Sequence, residues 1–188
     1  MRIDFHTHAL PDRIAAGAVE KLAFGAGGRH PSTDGTVRGL AAALEREDAM
    51  GVLLPVATKP QQQRSINDWA VRQRGGRIIP FGSVFPPSPD AVDELLRMRA
   101  LGLRGVKLHP EYQGFDVDDP RVRPLYRKIA ELGMIVVFHA GFDMAYPPPC
   151  RCAPAMLGRA MEYLDGAQVV AAHWGGFQMG LEALRDLK

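Results

Sequence analysis

The opening run Asp4-Phe5-His6-Thr7-His8 sets two imidazoles one residue apart. Alternate side chains of a strand share a face, so Asp4, His6 and His8 are expected to point the same way. Two neutral imidazoles on one face can chelate a single divalent cation. A carboxylate ahead of them either orients a ring from outside the ligand set or sits deeper as a buried polar group. One histidine in such a place is more simply a buried ring satisfied by hydrogen bonds. A His-x-His pair ending an N-terminal strand reads instead as a metal site.

The other histidines fall in the same kind of place. His109 closes Gly105-Val106-Lys107-Leu108, His139 closes Ile135-Val136-Val137-Phe138, and His173 closes Val169-Val170-Ala171-Ala172. Five of the six histidines therefore stand at expected strand ends, and in a parallel barrel those ends converge on one mouth. His30, in a Gly-rich loop, lies outside the set and is not expected to be a ligand. Lys107 shares a strand face with His109. Three roles stay open for it: a bridging ligand if carbamylated, a partner for a substrate carboxylate, or half of an ordinary ion pair. Gly175-Gly176 after His173 either lets backbone approach a substrate or simply turns the chain.

These side chains need a scaffold of strands alternating with helices, and the hydrophobic pattern supplies one. Short β-branched runs at Ile3–His8, Val52–Ala57, Arg77–Val84, Arg104–Leu108, Met134–Phe138 and Gln168–Ala172 read as strands. Amphipathic stretches at Val37–Met50, Ile66–Arg74, Asp90–Leu101, Arg121–Leu132, Pro154–Leu164 and Gln178–Leu187 read as helices between and after them. Ser88-Pro89 and Asp119-Pro120 each place a capping residue before a proline, and Gly102 and Gly133 stand where left-handed helix ends are expected. The long connection from Ala9 to Thr36 holds a short helix, Asp12–Phe24, and reads as a pocket wall. The expectation is one domain over residues 1–188 with a TIM-type (β/α) barrel fold. A closed barrel needs eight βα units, and about six are counted, so the barrel reads as truncated. A truncated sheet leaves open edges, which a homo-oligomer or further chain would cover.

With 23 Lys plus Arg against 21 Asp plus Glu, the net charge of +2 gives no reason to expect a nucleic acid or a membrane surface as partner. No stretch reads as a secretory signal or membrane span. The two cysteines, Cys150 and Cys152, are too close in sequence to form a useful cross-link, which fits a cytoplasmic protein with free thiols.

The motifs Asp4-Phe5-His6-Thr7-His8, Gly105-Val106-Lys107-Leu108-His109-Pro110, Val136-Val137-Phe138-His139-Ala140-Gly141 and Ala171-Ala172-His173-Trp174-Gly175-Gly176 together resemble the strand 1, 4, 5 and 6 signatures of an amidohydrolase family. It is the family related to aminocarboxymuconate-semialdehyde decarboxylase. The resemblance implies a distorted TIM barrel holding one divalent metal, zinc or else manganese. His6, His8 and His139 would be the ligands, and His173 the catalytic histidine. The family's last ligand, an aspartate closing strand 8, has no counterpart here. TatD-type nucleases share the first strand but carry a glutamate near strand 4, where this chain has Lys107. Polymerase-and-histidinol-phosphatase-type phosphoesterases fit the later His-Ala-Gly and His-Trp-Gly-Gly motifs poorly.

The expected activity is hydrolysis of a C–N or C–O bond in a small molecule. The metal would make bound water acidic, with a pKa of roughly 7, and His173 would move the proton. Non-oxidative decarboxylation of a small carboxylic acid is the alternative. A catalytically incompetent fragment or binding module is the alternative of another class.

Overall fold

The computed structural model describes residues 2–187. Its strands are β1 (Arg2–Thr7), β2 (Ala49–Leu53), β3 (Ile78–Pro80), β4 (Gly105–Leu108), β5 (Ile135–Phe138) and β6 (Gln168–Ala171). They form two parallel three-stranded ladders, β1-β2-β3 and β4-β5-β6. Gly82 joins the two: its N–H donates to the Gly105 carbonyl at 3.0 Å, and its own carbonyl accepts from the Lys107 N–H at 2.8 Å. The six strands thus make one arc in chain order, which is part of a TIM barrel.

Helices α1 (Asp12–Gly25), α2 (Val37–Arg46), α3 (Gln63–Arg72), α4 (Ala91–Ala100), α5 (Pro110–Gln113), α6 (Arg123–Glu131), α7 (Pro154–Ala160) and α8 (Gly180–Asp186) accompany them. No helix among the described residues is long and apolar enough to cross a membrane.

Local chemistry sets most boundaries. Thr36 caps α2 by accepting the Gly39 N–H at 2.9 Å. Asp119 accepts the Arg121 N–H at 2.8 Å and opens a single 3₁₀ turn, Pro120–Val122, that runs into α6. Gly102 and Gly133 take the expected left-handed conformation, with φ of 79° and 58°.

Two expectations are corrected. The helix predicted over Val37–Met50 stops at Arg46, because Asp48 turns left-handed with φ 46° and sends the chain straight into β2. That strand accordingly begins at Ala49 rather than Val52. Ser88 is not the cap residue of α4 either: Asp90 holds that position, and Ser88 Oγ accepts the Asp90 N–H at 3.4 Å in the turn before it.

The core lies on both faces of the arc. Outside, the strands pack on helices through two clusters, one built around Leu95, Val106, Ile129, Val136 and Leu157, the other around Leu40, Leu44 and Leu53. Inside, Val52, Leu54, Phe81 and Val137 are buried, with Phe5, Ile79, Ile135 and Val170 against them. Beyond the ends of the ladders the strands splay, and buried polar side chains hold them together. Asn67 bonds both the N–H and the carbonyl of Ser83, at 2.8 and 2.9 Å. Gln113 donates to the carbonyls of Ala57 and Val84 at 2.8 and 2.7 Å and accepts the His109 N–H at 2.8 Å. These bonds satisfy main-chain groups that no strand partner reaches.

Gly105 shows how tightly the lumen is filled. A Cβ there would lie 2.1 Å from Phe81 Cε2, and a buried ring between strands has little room to retreat. Gly105→Ala is therefore expected to destabilise the protein by about 1–3 kcal/mol, read as a lower urea midpoint at unchanged m-value.

Candidate active site

His6 and His8 reach the barrel mouth because β1 is not a regular strand. Its register against β2 runs Asp4 to Gly51 and then Thr7 to Leu53, so β1 spends one extra residue between those pairs. Such a bulge reverses the alternation of side chains. Asp4 and Thr7 share the face of Gly51 and Leu53, which looks at α2, where Leu44 packs close to Gly51. His6 instead comes to lie beside the lumen residue Lys107. The expectation that Asp4, His6 and His8 share one face is thereby corrected. Asp4 is exposed, and its Oδ1 accepts the His6 backbone N–H at 2.9 Å, so it braces the bulge rather than orienting an imidazole.

Five imidazoles and one lysine amine meet at this mouth. The His6 ring centroid lies 4.9 Å from that of His8 and 4.8 Å from that of His173. His173 lies 4.7 Å from His139, and His139 stacks on His109 at 4.1 Å with 16° between planes. Lys107 Nζ is 3.4 Å from His6 Nε2, His173 Nε2 is 3.2 Å from His139 Nδ1, and His8 Nδ1 is 2.8 Å from the Leu54 carbonyl. Every site residue expected from the sequence except Asp4 is thus brought into one cluster, while His30 is exposed in the loop after α1.

The loops carrying His139 and His173 are laced together. Phe177 N–H donates to the Ala140 carbonyl at 2.9 Å, and Phe142 N–H donates to the Phe177 carbonyl at 3.1 Å. Gly141 is required at this crossing, since its φ is 80° and a Cβ would sit 2.1 Å from Phe177 N. His173 and Trp174 are both left-handed, each at φ 59°. Non-glycine residues pay of order 1 kcal/mol each for that conformation, and here it turns the His173 ring back toward His139.

Sequence reading missed the carboxylates of the site. Asp143, in the loop after β5, uses Oδ1 to accept the Ala145 N–H at 2.8 Å, which turns Oδ2 toward His109 Nε2 at 3.4 Å and His139 Nε2 at 3.7 Å. His109, His139 and Asp143 offer ligand atoms that all lie within 4.8 Å of one another. Glu111 is buried beneath His109, and Tyr112 covers the outer face of that ring at 3.8 Å. The available signal was an acid two or four residues beyond a strand-end histidine.

Crowding of bases keeps them unprotonated. Burial, then Lys107 and the neighbouring imidazoles, lowers His6 from 6.5 to about 2. Burial and then His109 and His173 bring His139 to about 3. His8 falls to about 4 from burial and then Lys107, with its hydrogen bond to the Leu54 carbonyl acting the other way. His109 and His173 are also lowered, chiefly by burial. Lys107, fully buried, is pushed down from 10.5 to about 7 by loss of solvent. Burial raises the Asp143 carboxyl, but bonds from His109 and the Ala145 amide outweigh it and hold the group below its ordinary range.

A family model, Amidohydro_2, described as amidohydrolase, matches residues 3–187. No curated protein matches the chain. Among solved structures, an uncharacterised TIM-barrel protein from Bordetella bronchiseptica superposes with a TM-score of 0.70 at 17% identity, covering 99% of this chain and 72% of that one. A 5-carboxyvanillate decarboxylase from Sphingomonas paucimobilis gives 0.63 at 14%, covering 93% and 68%. A 2,6-dihydroxybenzoate decarboxylase from Rhizobium gives 0.62 at 16%, covering 93% and 66%. At these identities the likeness is one of fold.

The depressed pKa values fix a pH dependence for the metal-free chain. Between its folded and ordinary values each imidazole is protonated in the unfolded chain but not in the folded one, so stability rises with pH across that window. For His6, His8 and His139 the window lies below 6.5, and for Lys107 it runs from about 7 to 10.5. The urea midpoint is expected to fall steadily from pH 7 to pH 4.5, and His6→Asn should make that fall shallower. An equal slope in the variant would show that His6 does not hold off a proton.

Proposed function

The chain belongs to the Amidohydro_2 family of amidohydrolases, and we propose on that premise that it is a metal-dependent hydrolase of a C–N or C–O bond in a small anionic molecule. The observation that carries this reading is the ring of neutral imidazoles. Bases held well below their ordinary pKa keep lone pairs free at neutral pH, which is the donor set that zinc or manganese takes. The residues therefore fit the divalent metal that members of the family generally bind. Resemblance assigns it to His6, His8 and His139. Bound there, it would supply Lewis acidity, polarising a carbonyl and making water more acidic.

The chain's own residues do the rest. His173, its pKa lowered by burial, is a base at neutral pH; its Nε2 donates to His139 Nδ1 at 3.2 Å, because His139 Nε2 donates to the Phe142 carbonyl at 3.2 Å, and it takes a proton at its other ring nitrogen. Lys107 Nζ has no carboxylate within 4 Å among the described residues and so suits an anionic group on the substrate. Tyr112 and Tyr146, with ring centroids 5.3 Å apart, wall one side beyond His109.

A second reading is non-oxidative decarboxylation, in which His173 delivers its proton to the carbon that loses carbon dioxide. The unpaired Lys107 favours it, since that side chain would hold a carboxylic acid in place, and two of the structural neighbours are named as decarboxylases. The finer kinship with the relatives of aminocarboxymuconate-semialdehyde decarboxylase rests on the four strand-end motifs and supports the same reading.

The deciding experiment is turnover of a panel of small carboxylates, lactones and amides by the zinc- or manganese-loaded chain. We expect metal-dependent hydrolysis, and a drop in kcat of about 10²–10⁴-fold in His173→Asn with metal content unchanged. Carbon dioxide release without hydrolysis would move the assignment to the second reading. A loaded chain inert across the panel would refute both and favour a binding module. Lys107→Met should raise KM for carboxylate substrates and leave neutral lactones unaffected.

A further inference from the structure

We propose that His109 is a positioning residue, whose stacked face fixes the plane of His139 and thereby aims that ring at His173, and that Asp143 is the clamp holding His109 in place. The proposal rests on the hydrolase reading for what His173 does. It deepens that reading by naming side chains that set the geometry of the proton step without touching the reacting atoms.

His109 has no ring nitrogen left for a ligand. Its Nε2–H donates to Asp143 Oδ2 at 3.4 Å, since an ionised carboxylate only accepts. Its Nδ1 accepts the Tyr112 N–H at 3.5 Å, which requires the same tautomer. Both faces of the ring are covered as well. Tyr112 lies on one at 3.8 Å with 21° between planes, and His139 on the other at 4.1 Å with 16°. The side chain is 7% exposed, so the ring is held at both edges and both faces with no solvent to move into. Asp143 is fixed in its turn, because its Oδ1 accepts the Ala145 N–H at 2.8 Å.

His139 is tied by its edges. Its Nε2–H donates to the Phe142 carbonyl at 3.2 Å, which leaves Nδ1 to accept from His173 Nε2 at 3.2 Å. Those two bonds settle which way round the ring lies. They do not settle its plane, because hydrogen bonds keep most of their strength up to about 30° from linear. The accepting lone pair lies in the ring plane, so any tilt of His139 swings it away from His173. The nearly parallel face of His109 removes that freedom. A line of constraint therefore runs from the Ala145 amide through Asp143 and His109 to His139 and His173, joining the end of β4 to the loops after β5 and β6. The contact acts through the face of His139, so it persists whichever partner the ring edges take, an ion included.

Histidine suits this place because it is flat and carries two nitrogens by which it is pinned. Phenylalanine would keep the face and lose both pins, and leucine would lose the face too. Asparagine at 143 has one acceptor oxygen, so it would serve either the Ala145 amide or His109 and not both. These differences grade the test.

The test is two-bond nitrogen–proton NMR of the histidine rings in the isotope-labelled, metal-free full chain, alongside unfolding midpoints. For the metal-loaded chain, kcat and KM are measured on the carboxylate, lactone or amide it turns over. We expect His109, His139 and His173 each to show a single tautomer, with the proton on Nε2. His109→Leu should average the His139 and His173 signals between tautomers, Asp143→Asn should do so in part, and His109→Phe should keep His139 close to its wild-type state. In His109→Leu kcat should fall about 10²-fold, as for a small misplacement of a reacting group, with KM unchanged and most of the loss recovered in His109→Phe. Unchanged His139 and His173 signals in both His109→Leu and Asp143→Asn overturn the assignment even if the midpoint falls, since His109 is then a packing residue only. A loss carried by KM overturns it in favour of direct contact with substrate. If His109→Leu does not fold, the other two variants decide: His139 must hold its tautomer in His109→Phe and lose it in part in Asp143→Asn, and the reverse result overturns the assignment. A loaded wild type that turns over nothing refutes the hydrolase reading, while the ring spectra still decide whether His109 sets the plane of His139.

Discussion

Exclusion of protons from one end of the barrel is the constraint to which the rest of the structure answers. Parallel strands deliver their C-terminal ends to a single mouth, and this chain ends four of its strands in histidine-bearing segments and lines the floor with a lysine. So many bases within a few ångströms cannot all be charged, since each proton raises the cost of the next and buried charge is poorly solvated. The folded chain therefore stores lone pairs. That store is useful only if a cation uses it, and the polar clasps of Asn67 and Gln113 keep the bases aligned in its absence.

Much of this was legible in the sequence. Period-two alternation with a histidine at the close of each run located β1, β4, β5 and β6, and parallel topology then required His6, His8, His109, His139 and His173 to meet. Helix ends marked by Gly102, Gly133 and Asp119 were also readable, because each of those residues has a local reason to stop or start a turn. Periodicity failed where one residue breaks a pattern. Asp48 ends α2 early and hands Ala49 and Met50 to β2, although both continue the apolar rhythm of the helix. The bulge in β1 turns Asp4 away from the histidines that regular alternation would have it join, and no local composition announces it.

Asp143 and Glu111 were hidden for a different reason. Asp143 lies in a loop and Glu111 in the single turn of α5, both too short of regular structure for a period to relate a residue to a face, and each is held by main-chain partners distant in sequence or set by a turn. Asp143 depends on the Ala145 amide, and Glu111 on Arg151, forty residues further on. A carboxylate in a loop or a one-turn helix is ordinarily a solvated charge. These are set apart by burial, which only the folded chain shows.

The seam at Gly82 divides the arc, and with it the histidines. On one side β1 to β3 carry His6 and His8; on the other β4 to β6 carry Lys107, His109, His139 and His173. Two main-chain hydrogen bonds and one from Ser83 Oγ to the Lys107 carbonyl hold the halves there. A cation shared by His6, His8 and His139, as the resemblance implies, would straddle the line as a rivet, and the halves would then open as one cooperative unit. Without it, only those few bonds tie the first half to the second, and each is free to breathe alone. Whether the arc behaves as one foldon or two would thus turn on a bond made through the ion rather than through the sheet.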